Sequence, residues 1–299
     1  MSHYHDHNHN HLENFQYNKV FAIGIGLNIA FVIVEVMYGF LANSSALLAD
    51  AGHNASDVLS LIFAWTAVWL AMLKPKGKYT YGLRKTTILV SILNALLLFG
   101  AVAIIGWNAI EKISNPEPVA GSQVMIVAAI GVLINGFTAF LFIKGQKHDL
   151  NLKGAYLHML ADAIISLGVV VAGLLITFTG FMWIDPLTSM IIILVIIWST
   201  WGLFIDSINL ALDAVPRNID IEKLQNELLK VEGVEQIHDL HVWAMSTTEN
   251  AMTVHVISKN DGATIIENIQ KIMRENFAIT HTTIQVEDKE INKNCLLDC

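Results

Sequence analysis

Leu47-Leu48-Ala49-Asp50-Ala51-Gly52-His53-Asn54-Ala55-Ser56-Asp57 and Tyr156-Leu157-His158-Met159-Leu160-Ala161-Asp162 each lie inside a long apolar segment, and each carries a His and an Asp four residues apart. On a helix that spacing projects both side chains from one face. A charged group in hydrocarbon costs about 2.5–3.5 kcal/mol on insertion scales, so such residues line a cavity, pair or bind an ion. Two helices that each present one imidazole and one carboxylate can close a four-coordinate site. Four is the number Zn(II) prefers, with nitrogen and oxygen ligands at about 2.0–2.2 Å. The alternative is two unrelated polar pairs that satisfy each other inside a helical bundle; the matched spacing in two separate segments favours the metal.

The rest of the chain sets these stretches in a bilayer. Of 299 residues 54% are hydrophobic and only 15% charged, far more apolar than an ordinary soluble domain. Apolar segments run at about 20–41, 46–73, 87–107, 124–143, 155–178 and 187–204, each near the roughly 20 residues a spanning helix needs. The connection after the second contains Lys74, Lys76, Lys78, Arg84 and Lys85, and that after the fourth Lys144, Lys147 and Lys153, whereas the opposite connections hold only Lys112. The positive-inside rule then places both termini in the cytoplasm. Polar tail sequence precedes the first apolar run, which reads as a permanent span and not as a cleaved signal.

Residues 1–19 form a polar tail with His3, His5, His7, His9 and His11, expected to be disordered and able to bind metal loosely. Residues 20–206 make the transmembrane domain. Within it Asn28, Asn94 and Asn135 read as hydrogen bonds across helices. Glu35 and Asp50 are harder to place, because a buried carboxylate must be protonated, paired or wet. Asp50 shares the helix face of His53 and Asp57, either as a vestibule carboxylate or as a partner that holds an imidazole.

From Asp206 onward the chain carries 16 acidic against 8 basic residues, so the net charge of −8 sits wholly in this part. An acidic surface attracts cations weakly and argues against nucleic acid as a partner. Residues 207–299 read as a soluble domain with a helix at 221–231, strands at 234–245 and 251–258, a helix at 264–277 and a strand at 282–286. That order predicts a small α+β sheet with helices on one face. The domain offers His238, His241, His255 and His281, with Glu287 and Asp288 after the last strand. Cys295 and Cys299 stand one helical turn apart and are the only cysteines, so no disulfide framework holds the fold. Reduced in the cytosol, they are further candidate metal ligands.

Ala46-Leu47 with Asp50 and His53 to Asp57, Tyr81-Gly82 with Arg84, His158 to Asp162, and His238-Asp239-Leu240-His241-Val242-Trp243 together resemble the cation diffusion facilitator family over nearly all the chain. The resemblance implies six transmembrane helices followed by a cytoplasmic ferredoxin-like domain, usually in a homodimer, that exports divalent metal in exchange for protons. It assigns the transport site to His53, Asp57, His158 and Asp162. A His at position 53 looks like the zinc-preferring branch, with cadmium or cobalt as further cargo. Family ligands of the tail domain match His238 or His241 and His255, with Glu287 as a further ligand, while Gln285 stands where many relatives have another. Lys85 matches a lysine that pairs with an aspartate near the membrane exit, and Asp213 is the expected partner.

Zinc needs neutral imidazole and ionised carboxylate, so metal and protons compete for one site. Unperturbed imidazole titrates near about 6.5, which puts that competition around physiological pH. A site exposed alternately to each side would then exchange zinc for protons. Two rival readings fit the same residues. An intramembrane metal-dependent hydrolase would use an open zinc position to activate water, although the chain has no His-Glu-x-x-His sequence. A membrane-anchored zinc sensor would bind without flux.

Overall fold

Leu, Ile, Val and Ala fill the apolar segments, and none of the five prolines falls inside a helix beyond its first turn, so nothing interrupts the backbone ladder that hydrocarbon demands. The computed structural model describes residues 11–143, 150–259 and 261–287. Six long helices come first: α1 His11–Leu41, α2 Ser45–Ala71, α3 Thr86–Ser114, α4 Gly121–Phe142, α5 Leu150–Thr179 and α6 Ile184–Ala211. Five of them, α2 to α6, are long and apolar enough to cross a membrane, and α1 adds a shorter apolar stretch, Gly26–Leu41.

Several helix boundaries differ from the sequence reading; α3 runs to Ser114 and α5 starts at Leu150, and two further differences fall where the tails were divided from the spans. α1 begins at His11, so residues 11–19, assigned above to a disordered tail, have helical backbone. They contain no Gly or Pro, and helix propagates outward from an established span at little cost. α6 continues past Asp206 to Ala211, because the first breakers come later, at Asp213 with φ 60° and at Pro216. The polar change at 206 marks chemistry and not the end of the helix. Residues 1–10, Asp288, Cys295 and Cys299 lie outside the described residues.

The chain divides into two compact units. One comprises residues 1–61 with 96–200. Its core gathers Phe31, Leu47, Val102, Val127, Val169, Ile193 and Ile196. α4 and α5 approach through glycine: a Cβ at Gly173 would stand 2.7 Å from Met125 N and 2.8 Å from Gly121 O. Small residues at such crossings let backbones meet where no hydrophobic force separates helix from lipid. Gly173→Leu is therefore expected to destabilise the bundle by at least about 1–3 kcal/mol, read as a lower melting temperature of the detergent-purified protein. Asn28 donates to Met159 Sδ at 3.7 Å, but buried Asn135 has neither side-chain atom hydrogen-bonded among the described residues, against the expectation of a bond across helices.

The other unit comprises residues 62–95 and 201–299. It holds α7 Ile221–Leu229, β1 Val234–Ala244, β2 Asn250–Ser258, α8 Gly262–Phe277 and β3 Ile279–Glu287, within a few residues of the boundaries read from periodicity. The sheet order is β1-β2-β3, with β1 antiparallel and β3 parallel to β2. Leu224 and Leu228 of α7, with Ile265, Ile269 and Met273 of α8, bury their apolar stripes in one core with Met252, Val254 and Val256 of β2. Asp261 caps α8; hydrogen bonds from the Thr264 hydroxyl and then from the Thr264 and Ala263 amides hold its carboxyl below the usual carboxylate range.

Candidate metal centre

His53 and Asp57 occupy one face of α2 a turn apart, and His158 and Asp162 do the same on α5. The structure brings all four together. His53 Nε2 lies 3.3 Å from Asp162 Oδ1 and 3.8 Å from Asp57 Oδ2. His158 Nε2 lies 3.3 Å from Asp57 Oδ2 and 3.7 Å from Asp162 Oδ2. Each carboxylate thus faces both imidazoles, and each imidazole reaches a carboxylate of the other helix. Ligand atoms around a tetrahedral zinc with bonds of about 2.0–2.1 Å stand roughly 3.3 Å apart, close to these separations. The ligand atoms of His53, Asp57 and Asp162 all lie within 4.8 Å of one another.

Access is uneven. Asp162 is 2% exposed, His53 14%, Asp57 29% and His158 44%. A cavity of about 210 Å³ opens at this cluster, with Asn28, Asn54, Asp57, His158 and Asp162 among its walls. A site with one buried end and one open end can admit an ion while the protein supplies most of its ligands.

Glu35 and Asp50, the supporting carboxylates of the sequence reading, are fully buried. Asp50 is neither a vestibule residue nor the holder of an imidazole. Ser166 donates to Asp50 Oδ2 at 2.8 Å, Asn54 donates to Glu35 Oε2 at 2.9 Å, and His53 Nδ1 has no hydrogen-bond partner among the described residues. Ser166 stands one turn beyond Asp162, a spacing that could have flagged it.

A second cluster forms on the sheet. His238 and His255 are cross-strand partners on β1 and β2, and His255 stands opposite Gln285 of β3, two residues before Glu287. His238 Nε2 lies 3.2 Å from Glu287 Oε2, and His255 Nδ1 3.0 Å from Glu287 Oε1. Gln285 donates to Glu287 Oε1 at 2.7 Å, so it orients the carboxylate instead of supplying a ligand atom. His241 turns to Asp239 at 2.9 Å and stays outside the trio. A register shift after His238, with Asp239 at φ 50°, produces that turn. Asp239, which sequence reasoning did not single out, also reaches His255 Nε2 at 3.5 Å, on the ring edge away from Glu287. His281 is not one of the sheet cluster's residues; its ring stands edge-on to Tyr81.

Lys85 Nζ lies 2.6 Å from Asp213 Oδ1, with both side chains about half exposed; such a pair contributes at most about 1 kcal/mol. Arg84 of the Tyr81-Gly82 motif donates to Glu249 at 2.8 Å, a partner that sequence spacing gave no means of finding. Gly82 adopts φ 73° where a Cβ would stand 3.2 Å from Leu73 O, so that motif requires glycine.

An imidazole–carboxylate square between two membrane helices, followed by a small α+β domain, defines a class of metal transporters, and comparison with known proteins agrees. Residues 21–210 match the model of the cation efflux transmembrane domain, and residues 216–289 that of the cation efflux protein cytoplasmic domain. The chain belongs to the cation efflux family. It is 36% identical to the "Cadmium, cobalt and zinc/H(+)-K(+) antiporter" of Bacillus subtilis, over 94% of this chain and 92% of that protein. It is 35% identical to "Zinc transporter ZitB" of Escherichia coli, over 96% and 93%. It is 34% identical to "Metal cation efflux system protein CzcD" of Cupriavidus metallidurans, over 89% and 85%.

Proposed function

We propose that this protein exports zinc from the cytoplasm in exchange for protons, with cadmium and cobalt as further cargo, and that His53, Asp57, His158 and Asp162 hold the metal in transit. The observation that carries this reading is the alternating square of imidazoles and carboxylates contributed equally by α2 and α5, at 3.3–3.8 Å and open to a cavity on one side. The names of the relatives support the cargo. Zinc requires the carboxylates ionised and the imidazoles neutral, so its arrival expels protons and their return expels it. Alternating access to that one site converts the competition into antiport. The protein sits in the cell inner membrane with both termini cytoplasmic, as a homodimer. The test is zinc uptake into proteoliposomes that carry a zinc dye and a pH dye under an imposed pH gradient. Opposed zinc and proton movements are expected; zinc binding without flux would replace this reading with the sensor, and substrate turnover without a gradient with the hydrolase.

Zinc also serves as a regulatory ligand of the sheet cluster. His238, His255 and Glu287 have ligand atoms within 4.8 Å of one another, two imidazoles and a carboxylate being a donor set zinc accepts. Asp239 orients the His255 ring from its far edge. Full-length Glu287→Ala is expected to bind about one zinc fewer per chain, counted by metal analysis after equilibrium dialysis. An unchanged count would remove this second site.

A further inference from the structure

Glu35 of α1 and Asp50 of α2 are both fully buried. One oxygen of each is accounted for, Glu35 Oε2 by Asn54 and Asp50 Oδ2 by Ser166. The other two, Glu35 Oε1 and Asp50 Oδ1, meet no donor among the described residues, while the two carboxyl groups lie within hydrogen-bonding reach of each other. Two ionised carboxylates cannot face one another without water or a cation. Residues 26–73 and 154–211 contain no Lys or Arg, and α4 contains no titratable side chain at all. The titratable groups that act on the pair are Asp162 of α5, one more negative charge, and His53 of α2. A proton between the carboxyls satisfies both orphaned oxygens and removes the repulsion, as in other close carboxyl pairs. Asn54 ties the pair to the metal centre, because it donates to Glu35 and also lines the cavity beside Asp57, His158 and Asp162.

We propose that Glu35 and Asp50 hold one proton between them while the metal centre is empty and release it when zinc is seated, so that the pair supplies one of the protons exchanged for metal. This rests on the zinc/proton exchange proposed above. Two positive charges beside Asp162 and His53 stabilise the second negative charge of the pair; when zinc departs, the uncompensated carboxylates take the proton back. The ligands themselves account for the remaining protons.

The experiment titrates zinc into weakly buffered, detergent-purified full-length protein with a pH dye, alongside a binding isotherm. Glu35→Gln and Asp50→Asn are each expected to bind the same number of zinc ions as the unaltered protein but to release about one proton fewer per chain. Protons released elsewhere cancel in that difference. An infrared difference spectrum, zinc-bound minus zinc-free, should show loss of a protonated-carboxyl C=O band that is missing from the Glu35→Gln spectrum. Proton release unchanged in both variants would overturn the proposal, because a merely structural pair leaves the count untouched. Absence of any such band in the unaltered protein would overturn it too, without reliance on a variant that folds. Zinc flux without proton counterflow in proteoliposomes would instead overturn the antiport reading and leave the binding-linked count to judge the pair.

Discussion

Asp162→Ala is expected to abolish zinc uptake by proteoliposomes, lowering the initial rate by at least about 100-fold. Asp162 is the most buried of the four candidate ligands, at 2% exposure, and its two oxygens face different imidazoles, Oδ1 toward His53 at 3.3 Å and Oδ2 toward His158 at 3.7 Å. Its loss would deprive a metal of a ligand and leave Asp57 as the one carboxylate of the square facing the two imidazoles. Removal of a mere outer partner of a metal ligand already costs about 10–100-fold, so loss of a ligand belongs at or beyond the top of that range. Asp57 bridges the same imidazoles but is 29% exposed and borders the cavity, where water can take its place, so Asp57→Ala should retain more residual flux than Asp162→Ala. Asp162→Asn separates charge from shape, since it fills the same volume with a neutral group and is expected to fail as Asp162→Ala does. Full zinc flux in both Asp57→Ala and Asp162→Ala would remove this square from the transport path.

The square was legible in the sequence because two conditions met there: helical spacing fixes which side chains share a face, and hydrocarbon makes every polar residue on that face conspicuous. The same logic read the sheet domain, where the stripe Ile265, Ile269, Met273 repeats every four residues and the strands alternate. What stayed hidden depends on contacts between elements distant in sequence. Nothing local tells Glu35 that Asp50 faces it, or places Glu249 under Arg84. Strand periodicity does not find Asp239, because it assumes a regular ladder and the register shift after His238 breaks it. The end of α6 is hidden for a related reason: Asp206 reads as an exit into water, whereas it pairs with Arg217 at 2.6 Å while the helix runs on to Ala211.

Asp185→Ala is expected to lower the melting temperature of the purified protein sharply and to suppress transport, although Asp185 belongs to neither metal cluster. It lies in the first turn of α6, is fully buried, and accepts from Ser45 N at 2.7 Å, from Ala46 N at 3.4 Å and from the Ser44 hydroxyl. Ser44 is in turn the N-cap of α2, its hydroxyl oxygen accepting from Leu47 N at 3.0 Å. One carboxylate therefore satisfies the open amides at the start of α2 and lies at the positive end of its dipole. With the carboxylate gone, each buried donor left unpaired costs about 1–3 kcal/mol, so several kcal/mol in all must be lost from a fold whose total is about 5–15 kcal/mol. The consequence reaches the metal because α2 carries His53 and Asp57 within about four turns of that cap, on the same helix. Asp185→Asn retains an acceptor oxygen and should recover part of the melting temperature. Excess zinc should raise the melting point of Asp185→Ala by mass action if the square still assembles; no zinc-induced rise, with one present in the unaltered protein, would mean that the cap is needed to form the square as well as to stabilise the fold. Melting and flux equal to those of the unaltered protein would show that α2 holds its place without Asp185.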